Sequence, residues 1–538
     1  MTSTISAIQV LIVLLAVVAA VAVLANRLKI PPAILLVLTG VGLALIPKLP
    51  PVELAPDFVL LLVLPAVIYT AAFNMSWREF RFNLRPITLL ALGGVVFTAG
   101  AVAAAAHALL GLPWAAGFVL GAIVSPPDPV APLAIARRLE LPHRILVVLE
   151  GEGLANDATA LILYRFAVAA VGTGAFSFYS AAGMFAAIVA GEIIWGIGTG
   201  WLMLRLRKWV NDPLIELILA ILTPYLAFWP PSYLGGSGVL ATVTAGLYIS
   251  WNGPRLISAA TRLQGVFFWQ FFNYVIEGMV FLVTGLQARS VVSRIGEYPV
   301  SQIGISVAVI IAAIIAARFL WIFPSVYMPR WLFPAIRRKD PSPPWQWPFV
   351  LAFTGIRGIV SLAAALAIPF VTSSGEPFPY RDLILLLTFS VILITLAGQG
   401  LMLPWVIRWL GLSHAGRRER QINRAKEHKA RSEAVKAAAG LLVQLAAERN
   451  LPKDVVEAAR AQHRDRLKHL DHGGDAGDGI IRHPRLHDEV EGLLIEAERR
   501  RVNDLYRSGE LKDESRRRIE HELDLREAHL ANQQDEMP

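Results

Sequence analysis

Four charged side chains lie inside one apolar stretch that is long enough to cross a lipid bilayer. The stretch covers residues 145–171, and its charged residues are Glu150, Glu152, Asp157 and Arg165. A carboxylate near the centre of a bilayer costs about 2.5–3.5 kcal/mol on insertion scales, so it is rarely without a function. If the helix begins near residue 143, Asp157 lies about 21 Å along it, close to the midpoint of a ~30 Å hydrocarbon layer. Asp157 is therefore the first candidate for a functional group.

Three prolines interrupt another apolar segment at a similar depth. Residues 125–129 read SPPDP, which places Asp128 between two prolines. Proline removes a backbone donor and crowds the preceding turn, so the helix must unwind here. Irregular backbone inside a membrane is tolerated only where it is buried in protein or lines an aqueous cavity. The freed carbonyls near Pro126 and Pro127 are then candidate ion ligands, as in secondary transporters. A simple proline kink is the alternative.

A third segment carries an arginine beside two glycines. Residues 354–361 read TGIRGIVS, with Gly355 and Gly358 close to Arg357. This pattern predicts a second break in a helix or a point of close packing. Because a buried charge must be paired or hydrated, we expect Arg357 to pair with Glu152. Another carboxylate is the alternative partner.

The composition is that of a polytopic helical membrane protein. The chain has 538 residues, of which 55% are hydrophobic, and its mean hydropathy is +0.53. It has no cysteine, which excludes disulfides, thiolate nucleophiles and cysteine-ligated metals. The first apolar stretch has no preceding Lys or Arg and no clear cleavage site. It therefore predicts a transmembrane helix rather than a signal peptide.

Thirteen apolar segments are candidate membrane crossings. They cover residues 6–25, 32–47, 57–73, 86–111, 115–138, 143–170, 180–204, 213–230, 236–251, 269–287, 302–326, 346–370 and 382–409. Loops after odd-numbered segments hold 17 Lys and Arg, and loops after even-numbered segments hold 4. The positive-inside rule then places the N-terminus outside and the C-terminus in the cytoplasm. We predict a multi-pass protein of the cell (cytoplasmic or inner) membrane.

The composition changes after residue 411. Residues 412–538 hold 25 basic and 25 acidic side chains, so the net charge of +9 belongs to residues 1–411. We predict a transmembrane domain over 1–411 and a charged cytoplasmic tail over 412–538. Amphipathic helices are expected at 415–449 and 486–530, around a Gly/Asp/His-rich loop at 471–483. The tail is interpreted as a solvated domain, with a pH or ligand sensor as the alternative. Basic loops explain the high isoelectric point, so no nucleic-acid partner is expected.

Four motifs together carry a resemblance. They are GAIVSPPDPVAP (121–132), LEGEGLANDATALILYR (149–165), FFWQFFNYVIEGMVFLVTGLQ (267–287) and FTGIRGIVSLAAALAIP (353–369). In this order and spacing they resemble the Na+/H+ exchanger family of the cation:proton antiporters, in its NhaP/NHE-like branch. The resemblance spans about residues 5–410 and is strongest to bacterial members with a long hydrophilic tail.

The resemblance implies both a fold and a set of site residues. The implied fold is all-α, with thirteen transmembrane helices in inverted repeats, two crossed discontinuous helices, and a homodimer that works by an elevator movement. By position, Asn156 and Asp157 match the family's Asn-Asp pair, in which the Asp carries the ion and the proton. Glu152 and Arg357 match its structural ion pair. Residues 127–129 match a Thr-Asp-Pro sequence in the unwound helix.

The chain departs from the family pattern at two positions. Pro127 stands where a threonine is usual, and Gly153 stands where a serine is usual. Without these hydroxyls, a Na+ site would consist of Asp157, backbone carbonyls near Pro126 and Pro127, and water, together with Asp128. K+ is therefore an alternative substrate to Na+.

We expect an antiporter that exports Na+ or Li+ in exchange for H+, with no cofactor and no enzymatic reaction. A cation or a proton can neutralise Asp157, but not both together, and the carrier crosses only when neutral. With Asn156 in place of a second carboxylate, the exchange is expected to be electroneutral, one ion for one. A channel and a transport-weak sensor that signals through the tail are alternatives.

Two further interpretations concern a second ion pair and a glycine-rich connection. Glu277 and Arg318 lie at similar depths in neighbouring segments, and we expect them to form a structural pair. Residues 235–238 read GGSG and fit a protease-like Gly-x-Ser-Gly pattern. No transmembrane histidine follows, and a nucleophilic serine needs a base within hydrogen-bond reach. We therefore interpret GGSG as a flexible connection.

Overall fold

The computed structural model describes residues 2–46, 54–174, 177–210, 212–253, 259–293, 299–372, 375–422 and 525. The predicted loop at 471–483 and nearly all of the predicted tail helices lie outside these residues. The described residues form helices and no β-strand, apart from an isolated bridge between Val371 and Pro377.

The helices follow one another with short connections. In chain order they are α1 (Thr2–Leu28), α2 (Pro32–Ala44), α3 (Leu64–Asn74), α4 (Trp77–Phe82), α5 (Leu84–Thr88), α6 (Val95–Leu110), α7 (Trp114–Val124), α8 (Val130–Arg138), α9 (His143–Thr173), α10 (Phe178–Arg207), α11 (Pro213–Tyr233), α12 (Val239–Asn252), α13 (Ala259–Leu286), α14 (Ala288–Ser293), α15 (Val300–Leu332), α16 (Pro334–Lys339), α17 (Gln346–Phe353), α18 (Ile359–Leu366), α19 (Arg381–Ile394) and α20 (Gly400–Trp409). Wider π-helical turns precede α3 at Phe58–Val63, α6 at Leu89–Gly94 and α20 at Thr395–Gln399.

Helices occupy all thirteen of the apolar segments. Within the described ranges, eight helices are long and apolar enough to cross a membrane by themselves. Two of the predicted segments are broken near their middles, and each contributes two short helices, α7 with α8 and α17 with α18. The number of thirteen crossings stays a prediction.

Side-chain donors from neighbouring helices stabilise two of the π-helical turns. A π-helical turn frees carbonyl groups that an α-helix would use. The Trp321 indole donates to the Leu89 carbonyl at 2.8 Å, and Gly93 leaves the space that its ring fills. The Trp229 indole donates to the Leu61 carbonyl at 3.0 Å. These contacts hold the segments before α3 and α6 against their neighbours.

A buried carboxylate organises the glycine-rich connection before α12. Glu192 of α10 is 2% exposed and accepts hydrogen bonds from the backbone N–H groups of Ser237 at 2.5 Å, Gly238 at 2.9 Å and Leu240 at 3.0 Å. Gly238 has a φ of +74°, which favours glycine. The Ser237 hydroxyl also donates to Glu192, so the connection is a hydrogen-bonded cap of α12 and not the flexible connection that the sequence predicted.

The beginning of the predicted tail belongs structurally with the helices that precede it. The chain divides into two compact units, Met1–Glu419 and Arg420–Pro538. A helix covers residues 412–422, and Leu412 at its start is buried among the side chains of α9 and α20. The Glu419 carboxylate accepts a hydrogen bond from the backbone N–H of His143, the first residue of α9, at 3.1 Å. The first compact unit thus ends at Glu419. The division into a transmembrane domain over 1–411 and a cytoplasmic tail over 412–538 stays a prediction.

Candidate functional site

The two broken segments cross at their unwound residues. Residues 125–129 separate α7 from α8, and residues 354–358 separate α17 from α18. The backbone N–H of Asp128 donates to the Ile356 carbonyl at 2.7 Å, which joins the two unwound strands directly. The prolines predicted the first break and the glycines the second. The hydrogen bond between them satisfies backbone groups that no helix can use.

Arg357 stabilises the end of α7 rather than a carboxylate. Its guanidinium group donates to the carbonyl of Val124 at 2.7 Å, to that of Ser125 at 3.3 Å, and to that of Gly355. These carbonyls include the last of α7, where the helix dipole is negative and carbonyls lack helical partners. The side chain is 1% exposed. The backbone N–H of Arg357 donates to the Thr395 hydroxyl at 3.1 Å, a contact that no sequence pattern signalled.

Glu152 forms a two-pronged ion pair with Arg318 of α15. The guanidinium nitrogens lie 2.7 and 3.0 Å from the two carboxylate oxygens, and both side chains are buried. Arg318 also donates to the Leu351 carbonyl at 3.2 and 2.9 Å. The predicted pair of Glu152 with Arg357 is therefore wrong, as is the predicted pair of Glu277 with Arg318. Each arginine is fully engaged elsewhere, although Arg357 and Glu152 are near enough for their charges to interact.

Asn156 and Asp157 have different surroundings although they are adjacent on α9. The Asn156 amide nitrogen donates to the Pro127 carbonyl at 2.7 Å, and its amide oxygen is buried without a partner among the described residues. Asp157 is half-buried, and no hydrogen bond or ion pair to its carboxylate occurs within the part of the chain that the structure describes. It lies near enough to Asp128 for the two carboxylates to repel each other. Asn156 thus holds the unwound segment, while Asp157 remains available.

Two glycines leave room for the side chains of Asp128 and Pro129 where the unwound segments cross. A Cβ atom on Gly358 would collide with the Asp128 carboxylate, so only glycine admits Asp128 at this place. A Cβ atom on Gly153 would collide with the ring of Pro129. The backbone N–H of Val130 donates to the Asp128 carboxylate at 3.0 Å, which orients it at the start of α8. The site therefore has two carboxylates, backbone carbonyls and no hydroxyl from position 127 or 153.

Residues 12–409 match a family model described as sodium/hydrogen exchanger, transmembrane. The chain belongs to the sodium/hydrogen exchanger family. An uncharacterised Na+/H+ exchanger of Mycobacterium tuberculosis is 34% identical over 535 residues, which are 98% of this chain and 97% of that protein. A Na+/H+ antiporter, NhaS2, of Synechocystis is 31% identical over 85% of this chain and 80% of its own length.

Other relatives of this exchanger are named for broader ion use. A sodium, potassium, lithium and rubidium/H+ antiporter of Bacillus subtilis is 34% identical over 70% of this chain and 57% of its own length. Among solved structures, the sodium proton antiporter MjNhaP1 of Methanocaldococcus jannaschii at pH 8 is similar with a TM-score of 0.62. It is 20% identical over 76% of this chain and 99% of that one. At that identity the likeness concerns the fold.

Glu277 adds a third carboxylate on the exchanger's α13. It is half-buried, and its charge interacts with that of Asp128. The motif at 267–287 indicated this helix. The depth of Glu277 in its predicted segment could not show which neighbouring helix its side chain faces. Three carboxylates, at positions 128, 157 and 277, thus share one region, while the nearby arginines are committed to other partners.

Proposed function

We propose that this exchanger is a secondary-active antiporter that exports Na+ or Li+ in exchange for H+. The proposal assigns Asp157 as the shared carrier of the cation and the proton. Asn156, Asp128 and the carbonyls near Pro126 and Pro127 complete the ion-binding region. The exchange is proposed to be electroneutral, with one cation exchanged for one proton.

One observation carries this proposal. Asp157 is a carboxylate in the middle of a membrane helix, and it has no partner within the described residues. Arg318 is held by Glu152, and Arg357 is held by the carbonyls at the end of α7. An ionised carboxylate at this depth must be neutralised. An exchangeable cation or a proton supplies the missing charge.

Competition for one carboxylate couples the two ions. When the cation binds, the proton must leave, and when the proton binds, the cation must leave. The protein can reorient with Asp157 neutralised by either ion, but not with a bare charge facing hydrocarbon. Because Asn156 stands beside Asp157 where a second carboxylate would add a charge, each half-cycle carries one cation or one proton on a neutralised Asp157. A full cycle therefore moves no net charge across the membrane.

The hydrogen bonds at the crossing keep the unwound segments together during reorientation. The Asn156 amide links α9 to the Pro127 carbonyl, and the Asp128 backbone links the two unwound strands. Arg357 completes the end of α7. We propose that these parts move as one body, in an elevator-like alternation of access.

The proposed setting is a cell membrane, with the N-terminus outside and the C-terminus in the cytoplasm, and a homodimer. The orientation rests on the excess of Lys and Arg in alternate loops. The dimer surface is proposed at α10, which exposes large apolar side chains such as Ile194 and Trp201 in the single chain. Closed two-fold pairing is the commonest arrangement of homo-oligomers.

K+ transport is the second candidate, and the structure around Gly153 favours it. The Pro129 ring fills the space beside Gly153, so a hydroxyl at that position has no room. Pro127 supplies a carbonyl, which already accepts the Asn156 amide. A site with fewer fixed oxygens leaves more water on the bound cation, so it discriminates less strongly by ionic size. The Bacillus subtilis relative is named for potassium as well as sodium.

The test is dequenching of a pH-sensitive dye in proteoliposomes with an imposed ΔpH. Na+, Li+ and K+ are added in turn to wild type, Asp157→Asn and Glu150→Gln. Glu150 is a matched control, because it is a carboxylate on the same helix. Its Oε1 atom lies 3.3 Å from a guanidinium nitrogen of Arg137, so it already has a partner. Dequenching by Na+ or Li+ that is lost only in Asp157→Asn supports the proposal. Dequenching by K+ alone supports the second candidate.

Two results would contradict the mechanism. Full activity of Asp157→Asn would remove Asp157 as the carrier. A steady current in voltage-clamped proteoliposomes, driven by the cation gradient and absent with Asp157→Asn, would exclude electroneutral exchange while leaving the carrier assignment intact.

A further inference from the structure

Three arginines converge on one aspartate at the end of the helix bundle where α9 begins. Arg85 of α5 donates to Asp340 at 2.6 Å, Arg144 of α9 at 2.7 and 3.0 Å, and Arg330 of α15 at 2.7 Å. Arg144 also donates to the Asn83 side chain at 3.0 Å. We call these three arginines and Asp340 the arginine clasp. Four elements from distant parts of the chain meet in it.

The arginine clasp carries a net positive charge. Burial alone would raise the pKa of the Asp340 carboxyl, but hydrogen bonds and charge from Arg144, with the charges of Arg330 and Arg85, hold the pKa below its usual value. Asp340 is therefore ionised at neutral pH and contributes one negative charge against three positive ones. α16 adds three more basic side chains in its last turn, directly before Asp340. Among the described residues, Asp340 is the acidic side chain that forms an ion pair with Arg85, Arg144 and Arg330, which leaves an excess of about two positive charges.

A cavity opens beside the clasp. Its volume is about 40 Å³, and Arg85, Arg144 and Arg330 contribute to its walls with Trp347. Ile145, Val148 and Leu351 line its inner side and are buried. A volume of this size holds about three water molecules, or the oxygens of one phosphate group.

The cavity lies at one end of the helix bundle, where α9 and α17 begin and α15 ends. Because α9 and α15 are long and apolar enough to cross a membrane, lipid headgroups are expected at this end. Trp345 and Trp409 are exposed at the same place and pack edge to face. Tryptophans are enriched at the interface between hydrocarbon and water. Guanidinium groups recognise phosphate through paired hydrogen bonds, and basic pockets between transmembrane helices bind anionic headgroups.

We propose that the arginine clasp and its cavity bind the phosphate group of an anionic phospholipid. The phosphate replaces water in the cavity and neutralises the charge that Asp340 leaves unmatched, while the acyl chains stay in the bilayer beside α15 and α17. Arg85 is the arginine with the smallest structural role, because its only side-chain hydrogen bond among the described residues is to Asp340 and it is 29% exposed. Arg85 is therefore the best position at which to change lipid binding.

The test is native mass spectrometry of the full chain in detergent, titrated with phosphatidylglycerol or with zwitterionic phosphatidylcholine. Wild type is expected to retain phosphatidylglycerol selectively. Arg85→Gln is expected to weaken its binding about fivefold, which corresponds to one basic group near an anionic headgroup. Asp340→Asn is expected to tighten it by a similar factor, because it raises the local excess of positive charge. Arg408→Gln is the control, since Arg408 is exposed and, among the described residues, its side chain donates a hydrogen bond to the Pro404 carbonyl and to no other group.

The opposite directions of the two variants separate lipid binding from a structural role. If Arg85→Gln and Asp340→Asn both weakened retention, the clasp would be a fold-stabilising cluster only, and the proposal would be wrong. Equal retention of the two lipids by wild type would also overturn it, as would an equal effect of Arg408→Gln. Inorganic phosphate that displaced phosphatidylglycerol at matched concentration would assign the site to a soluble anion instead.

Discussion

Replacing Arg318 should destabilise the protein more than replacing its partner Glu152. In Arg318→Gln, the Glu152 carboxylate stays buried without its cation, and the Leu351 carbonyl loses two donors at 3.2 and 2.9 Å. In Glu152→Gln, the new amide oxygen can still accept from the arginine. Removing one partner of a buried ion pair costs about 3–5 kcal/mol. Losing the charge on one side of a hydrogen bond costs about 1.5–3 kcal/mol.

The double variant gives the coupling between the two residues. With both changed to glutamine, two neutral amides face each other, and the penalty for an unpaired charge disappears. We therefore expect the double variant to be more stable than the sum of the single changes predicts, by about 1.5–3 kcal/mol. Arg357→Gln should couple to Glu152→Gln much more weakly, because Arg357 donates to backbone carbonyls rather than to the carboxylate.

The assay is reversible unfolding of the full chain in mixed micelles, followed by far-ultraviolet circular dichroism. Wild type, three single variants and two double variants complete the two cycles. A stronger coupling of Glu152 to Arg357 than to Arg318 would refute the pairing described here. Additive effects of Glu152→Gln and Arg318→Gln would refute the claim that the pair acts as a unit.

Three further outcomes are expected. Gly153→Ser should lower stability by about 1–3 kcal/mol in unfolding titrations, since its Cβ meets the Pro129 ring, and should not increase the Na+ response in the dye assay. Asp340→Asn should lower the thermal midpoint at neutral pH. The difference from wild type should fade as the pH falls below about 4, because a carboxyl with a lowered folded-state pKa loses its stabilising effect on protonation. Glu192→Gln should lower the thermal midpoint, since the amide oxygen cannot replace a carboxylate that accepts from three backbone donors of the α12 cap.

Each of these has its own check. Gly100→Ser is the control for Gly153, because a Cβ at Gly100 meets nothing within 4 Å, and it should leave stability nearly unchanged. An Asp340→Asn difference that stayed constant to pH 3 would show that its charge does not matter. An unchanged midpoint for Glu192→Gln would mean that the cap does not stabilise the fold.

The breaks in the two crossed helices could be predicted because proline and glycine act locally. Three prolines around Asp128 cannot fit an unbroken helix, whatever the rest of the chain does. Glycine beside Arg357 signalled a special backbone in the same way. The identity of Asp157 as the candidate carrier also followed from local facts, namely its charge and its depth along α9.

The ion pairs could not be predicted, because they depend on which helix faces which. Arg318 and Arg357 both lie at mid-membrane depth, and both are close to Glu152 in the fold. Sequence position cannot tell that α15 presents Arg318 to Glu152 while Arg357 points at the end of α7. The carbonyl groups freed at the end of a broken helix also accept hydrogen bonds from arginine and therefore compete with carboxylates. Arg357 binds these carbonyls, which is why it does not pair with Glu152.

The hydrogen bond from His143 to Glu419 has a thermodynamic consequence for the tail. Glu419 caps the helix whose middle carries Asp157. If Glu419 is drawn away, the first N–H group of α9 loses its acceptor, and the positive end of the helix dipole loses a favourable negative charge, which costs about 0.3–1 kcal/mol. Linkage is reciprocal, so any ligand that binds Glu419 only in the released state binds more weakly by the same free energy.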